Sequence, residues 1–190
     1  MSASSLQDYL ECPARFYFEK VKGLSVQDEV VDSLDFGMFG NAYHAAMQEL
    51  YAVQGGLLTG DYLKNLLKGK RVPEVVDRKI LEQLKTFELT GRNLIYSDMI
   101  CRYVYQTIRR DIELMKSEGV DHIRILGLEQ KKNMTIGGIK FFGIIDRLDS
   151  IREDVVRIVD YKTGKVSDSD FIINDDNAEA VVEAIFAHDN

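Results

Sequence analysis

Four side chains in this sequence have the type and spacing to act together on a substrate. In the run Val156, Ile158, Asp160 and Lys162, alternate positions of an extended strand share one face, so an acid and an amine are expected side by side at its end. Such a pair can hold a metal and position a water; the plainer alternative is a surface ion pair. Upstream, Phe142, Ile144 and Asp146 also share a face, and a short turn would pair the two strands antiparallel, bringing Asp146 towards Asp160. Two carboxylates that close repel unless a cation lies between them. The alternative there is that Asp146 pairs with Arg147 or Arg157. The fourth group is His44 in Gly40-Asn41-Ala42-Tyr43-His44. Gly40 lies one helical turn away and leaves room beside the imidazole for an ion or a phosphate. A lone histidine on a partly apolar helix is otherwise a packing residue.

The elements that must position these groups follow from periodicity. Ser5 with Asp8 resembles a capping box ahead of Leu6, Tyr9 and Leu10. Pro13 suits the first turn of a second short helix that carries Phe16, Tyr17 and Phe18. A third helix is expected over 39–51, closed by Gly55-Gly56, with shorter helical stretches over 61–68 and 73–89. Leu94, Ile100, Tyr103, Val104, Ile108, Ile112 and Met115 keep helical spacing until Ser117-Glu118-Gly119 stops them. The pattern then alternates, giving strands over 123–129, 134–136, 139–148 and 155–162. Gly137-Gly138 fits a tight hairpin turn and Arg152-Glu153-Asp154 a polar one. A last helix is expected over 178–187. Helices, then a small sheet, then a helix describe an α/β (α+β) unit with an antiparallel meander.

Composition bounds the function. A chain of 190 residues, 45% of them hydrophobic, can bury the core of one ordinary domain. We read it as one domain over 1–190 with a helical insertion over 57–120. No apolar stretch reaches the length of a membrane span, and the N-terminus lacks the pattern of a signal peptide. Two cysteines without close spacing suit a reducing compartment, so a cytoplasmic location is expected. The net charge of −7 counts mildly against nucleic acid, which usually meets a basic surface. An acidic site that binds metal ions reverses the local sign. Basic residues also gather at Lys64, Lys68, Lys70 and Arg71, and at Arg102, Arg109 and Arg110; each cluster alone reads as a solvated helix face.

The order of the motifs is more specific than any one of them. Gly40-x-x-x-His44 comes first, then Gly143-x-x-Asp146-Arg147-Leu148-Asp149, then Asp160-Tyr161-Lys162-Thr163-Gly164-Lys165. Together they resemble the RecB-like branch of the PD-(D/E)XK nuclease superfamily. Ser5-Leu6-x-x-Tyr9-x-x-Cys12-Pro13-x-x-Phe16-Tyr17 resembles the opening of AddB-type nuclease domains. The resemblance implies a restriction-endonuclease-like core, with a small mixed sheet flanked by helices. It implies metal-dependent DNA hydrolysis of the exonuclease type in recombination or repair. His44, Asp146 and Asp160 match the metal ligands, with the Tyr161 carbonyl as a further one, and Lys162 matches the catalytic lysine. Glu129 stands where an acid often precedes the hairpin; a salt-bridge role suits it equally. Hard oxygen ligands with one imidazole favour Mg2+ or Mn2+. DNA is the expected partner, together with a helicase domain or subunit.

Two features depart from that family. Its Gln-x-x-x-Tyr helix is missing, since no glutamine follows Gln130, so the chain is expected to be a C-terminally truncated fragment of a larger protein. An exposed apolar surface left by a missing helix would favour dimerisation. An iron-sulfur cluster requires four thiolates, and this chain offers Cys12 and Cys101. The competing readings are a non-catalytic nuclease-fold module that binds DNA or docks a partner, and an unrelated interaction domain whose charges form surface pairs.

Overall fold

A computed structural model describes residues 2–24, 33–136, 139–153 and 155–164. In chain order its elements are helices α1 (Ala3–Glu11) and α2 (Pro13–Phe16), a π-turn (Tyr17–Val21), α3 (Phe36–Tyr51) and strand β1 (Leu57–Thr59). Then follow α4 (Gly60–Lys68), α5 (Arg71–Leu84), α6 (Arg92–Glu118), β2 (His122–Ile136), β3 (Ile139–Arg152) and β4 (Val155–Val159). This is the α/β class expected. The chain divides into two compact units.

One unit comprises Met1–Glu29, Gln130–Ile145 and Gly164–Asn190. Its first helix is capped by Ser2, whose hydroxyl accepts from the Ser5 amide at 3.0 Å, rather than by the expected Ser5–Asp8 box. Asp8 is drawn instead to the Arg15 guanidinium. Cys12 ends α1 and caps α2, and Pro13 fills the first helical position, where its missing N–H costs nothing. Ser2 forms an isolated bridge with Phe142 of β3.

The other unit, Val30–Glu129 with Asp146–Thr163, holds the main core. There α3 starts at Phe36, three residues earlier than periodicity implied, because the Asp35 carboxylate accepts from the Met38 amide at 2.7 Å. Ala42, Ala46, Met47 and Leu50 of α3 are fully buried and meet Val72, Val76 and Ile80 of α5 and Ile100, Val104 and Ile108 of α6. Pro73 sits in the first turn of α5, where proline is tolerated; the helix ends at Leu84, five residues short of expectation, with Lys85 left-handed at φ +53°. Helix α6 is about 40 Å long at helical rise, and Gly119 closes it at φ +67°, a conformation that favours glycine. Its buried stripe also contains Asp111, a charge in a core position.

The sheet has the order β1-β2-β3-β4, with β1 antiparallel to β2 and β3 antiparallel to β4. Three residues are too few to show alternation, which is why β1 escaped the sequence reading. Where two strands were expected, β2 runs unbroken, and Glu129 within it has φ +48°. Arg147 lies opposite Val159, Leu148 opposite Ile158 and Asp149 opposite Arg157. The faces are the reverse of those expected: Val156 and Ile158 are 40% and 47% exposed, whereas Tyr161, of the other parity, is buried. Phe142 and Ile144, expected to lead Asp146 into the core, are likewise about half exposed. The Gly137-Gly138 turn, Asp154, Lys165 and the helix expected over 178–187 lie outside the described residues. No described helix is long and apolar enough to cross a membrane.

Candidate metal centre

Three side chains from three elements converge in the larger unit. His44 projects from α3, Glu129 from β2 and Asp146 from β3, and each offers a ligand atom within 4.8 Å of the other two. Nδ1 of His44 lies 3.3 Å from Oε1 of Glu129 and 3.5 Å from Oδ1 of Asp146. Its other nitrogen, Nε2, is 2.8 Å from the Tyr161 carbonyl oxygen. The Tyr161 amide donates to Oδ2 of Asp146 at 2.6 Å. Tyr161 is thus tied to the cluster by both its backbone groups.

Local geometry explains the convergence. The register that sets Arg147 opposite Val159 carries Asp146 to the point where the chain leaves β4, beside Tyr161. The left-handed backbone at Glu129 is uncommon for a residue with a side chain, and such conformations gather at functional sites. Gly40 lies near Thr163: a methyl group built on it would stand 3.5 Å from the threonine hydroxyl, an ordinary contact.

The electrostatics follow from these neighbours. Both nitrogens of His44 face oxygen atoms that only accept, so the doubly protonated ring satisfies the site best. Its pKa is raised to about 9, by the Asp146 hydrogen bond foremost, against burial. Burial and the nearby Asp146 charge push the Glu129 carboxyl above its ordinary value. For Asp146 burial acts upward, but the His44 hydrogen bond and the Tyr161 amide hold its pKa below the ordinary value. An imidazolium thus occupies the place of a cation between two carboxylates. Two carboxylates, an imidazole and a backbone carbonyl are also a donor set that fits a divalent ion such as Mg2+ or Mn2+.

Asp160 and Lys162 lie at the end of β4 and outside this trio. Nζ of Lys162 is 3.0 Å from Oδ2 of Asp160, and the side chains are 56% and 47% exposed. The strand expected over 155–162 ends at Val159, and the two residues meet as an ion pair just beyond it. The alternative pairing of Asp146 with Arg147 or Arg157 is not what forms; Asp146 meets His44 and the Tyr161 amide.

Both arginines belong instead to a buried network. Nη1 and Nη2 of Arg147 donate to the two oxygens of Asp111 at 2.8 and 3.0 Å, and Nε lies 2.9 Å from Oδ2 of Asp149, off hydrogen-bond alignment. Arg157 forks onto Asp149 at 2.8 and 2.9 Å. The Tyr51 hydroxyl donates to Asp111 at 2.7 Å. The Arg147 guanidinium lies 5.0 Å from the Tyr51 ring centroid and 5.8 Å from that of Tyr161. Asp111 escaped the sequence reading because its partners are distant in the chain; its place within the α6 apolar stripe was the available signal.

Comparison with known proteins gives a family match over most of the chain. The family model of the PD-(D/E)XK nuclease superfamily matches residues 1–178. An uncharacterized protein of Rickettsia conorii is 23% identical, the match covering 100% of this chain and 22% of that protein. One of Rickettsia bellii is 22% identical with the same coverage. An ATP-dependent helicase/deoxyribonuclease subunit of Clostridium novyi is 27% identical over 92% of this chain and 16% of its own length. The chain thus spans about a fifth of the length of the relatives it matches. No solved structure matches it at a significant level.

Proposed function

We propose that this chain, which belongs to the PD-(D/E)XK nuclease superfamily, hydrolyses phosphodiester bonds of DNA with a divalent metal, Mg2+ or Mn2+. The observation that carries the proposal is the convergence of His44, Glu129 and Asp146, whose ligand atoms lie within 4.8 Å of one another. In this reading those three side chains hold the ion, while the Tyr161 carbonyl and Asp160, ligands in the family pattern, lie on Nε2 of His44 and at the strand end, outside the trio. When bound, the ion supplies positive charge to the phosphate and acidity to the hydrolytic water. The protein's own groups do the rest. The Tyr161 amide fixes the Asp146 carboxylate. Asp160 holds the Lys162 ammonium at 3.0 Å, where it can orient the attacking water or offset charge on the phosphate.

The Clostridium novyi relative, by name a subunit of an ATP-dependent helicase/deoxyribonuclease, supports DNA cleavage alongside a helicase, and the proposal extends this to an exonuclease-type role in recombination or repair. Labelled single- and double-stranded DNA incubated with Mn2+ or Mg2+ tests the proposal. Cleavage that EDTA stops and that Asp146→Asn lacks supports it. Absence of both cleavage and metal uptake by calorimetry overturns it.

A second reading has one observation in its favour. Asp160 and Lys162 are exposed and tied to each other, apart from the trio. A nuclease-fold module that binds DNA without cutting it would tolerate that arrangement. DNA binding without metal-dependent cleavage would favour this reading.

A further inference from the structure

We infer that the cleft between α6 and β4 binds a backbone phosphate of the DNA strand, other than the one cleaved, through Arg110. The inference rests on the nuclease reading and adds a substrate subsite to it.

The cleft has a volume of about 380 Å³, within the range of small-ligand pockets. Thr107 and Arg110 of α6 form one wall; Arg157 of β4 and the following Asp160, Tyr161 and Lys162 form the other. Its second wall is therefore the strand end that bears the acid and amine assigned to the chemistry. A strand whose reacting phosphate lies there has a neighbouring phosphate within the cleft's reach.

The cations in the cleft differ in what they have left to give. Arg157 commits Nε and Nη2 to Asp149, and Lys162 is engaged by Asp160. Arg110 is exposed and has no ion-pair partner among the described residues, so its planar fork of donors is available. Guanidinium matches the oxygens of a phosphate two at a time, with shorter and stronger bonds than neutral donors make. Tyr43 and Thr107, whose hydroxyls lie 2.8 Å apart, also line the cleft. The chain carries a net charge of −7, so an anionic strand needs a local positive site such as this one.

The test measures binding of a labelled single-stranded oligonucleotide to the full chain in EDTA, by fluorescence anisotropy across a salt series. Arg110→Ala is expected to weaken binding several-fold and to lower the slope of log affinity against log salt by about 0.7, the contribution of one phosphate on a single strand. Arg110→Lys should recover most of the slope. Arg102→Ala, which removes a charge from the same helix outside the cleft, should leave it unchanged. In cleavage assays with Mn2+, Arg110→Ala should raise KM more than it lowers kcat. Wild-type affinity and slope in Arg110→Ala, with its fold intact by circular dichroism, would overturn the subsite while leaving a cleaving enzyme in place. If the wild-type chain neither binds nor cleaves DNA, the nuclease reading fails and the subsite with it.

Discussion

Arg147 and Asp111 meet as a two-pronged ion pair at 2.8 and 3.0 Å in the interior, with side chains 2% and 5% exposed. Burial opposes the charge on Arg147, yet Asp111 raises the guanidinium pKa further above its already high ordinary value. Removing one partner strands the other charge without water, which costs about 3–5 kcal/mol. Arg147→Met and Asp111→Asn are each expected to lower stability on that scale in urea unfolding. The double variant should lose less than the sum, because no charge is left unpaired. Single losses below about 1 kcal/mol would contradict an interior pair.

Gly55 and Gly56 test backbone geometry. Both have positive φ, +74° and +69°, but only Gly56 is crowded: a methyl group there would stand 2.9 Å from the Ile125 carbonyl oxygen of β2. Gly55 has nothing within 4 Å. Each alanine substitution carries backbone strain on the order of 1 kcal/mol. Gly56→Ala must also push β1 away from β2, so it should lower the melting temperature clearly more than Gly55→Ala. Equal shifts would show that the close approach is soft.

The residues show how far the sequence carried these conclusions. Helices α3 and α6 were legible because their apolar spacing repeats over several turns, whereas β4 ends before Asp160 and Lys162, which meet as an ion pair beyond it. Which face is buried was not legible. Val156 and Ile158 are as apolar as a core strand requires, yet Arg157, Tyr161 and Asp149 face inward because Asp111 on α6 makes a charged interior possible. Glu129 was a loose candidate, since alternation along β2 does not reveal the left-handed backbone at that residue. Asp146 was found from its strand and motif, but its partners, His44 and the Tyr161 amide, depend on the register between β3 and β4.

The cysteines should differ sharply in reactivity. Cys12 is exposed and Cys101 is buried in α6. Burial, and then the Asp77 charge, raise the Cys101 thiol to about 11. The thiolate is the reactive form, and a raised pKa leaves little of it near neutrality. In the native chain at pH 8, a chromogenic disulfide reagent should modify one thiol quickly, and Cys12→Ser should abolish that phase. The slow phase should accelerate as pH rises towards 11, because deprotonation supplies the nucleophile. Two equally fast thiols would mean that α6 does not bury Cys101.

The metal assignment is tested most sharply by comparing Asp146 with Asp160. Asp146 is buried, receives the Tyr161 amide and lies within reach of His44, so its carboxylate is fixed whether or not an ion is present. Asp160 is half exposed and its only ion-pair partner among the described residues is Lys162. Ligands held in place lose little freedom on binding, whereas an exposed side chain must first be ordered. Asp146→Asn is therefore expected to remove measurable Mn2+ binding by calorimetry, and Asp160→Asn to weaken it less. Lys162→Ala should keep metal binding and reduce cleavage by about 10²–10⁴-fold, the range for a group that acts on a proton or charge in the transition state. Asp160→Asn should also reduce cleavage, through the ammonium it holds. If Asp160→Asn removes the metal as completely as Asp146→Asn does, Asp160 is an obligatory ligand and the site must close around it on binding. If neither substitution changes metal uptake, the convergence of His44, Glu129 and Asp146 is an ion-pair cluster rather than a metal centre.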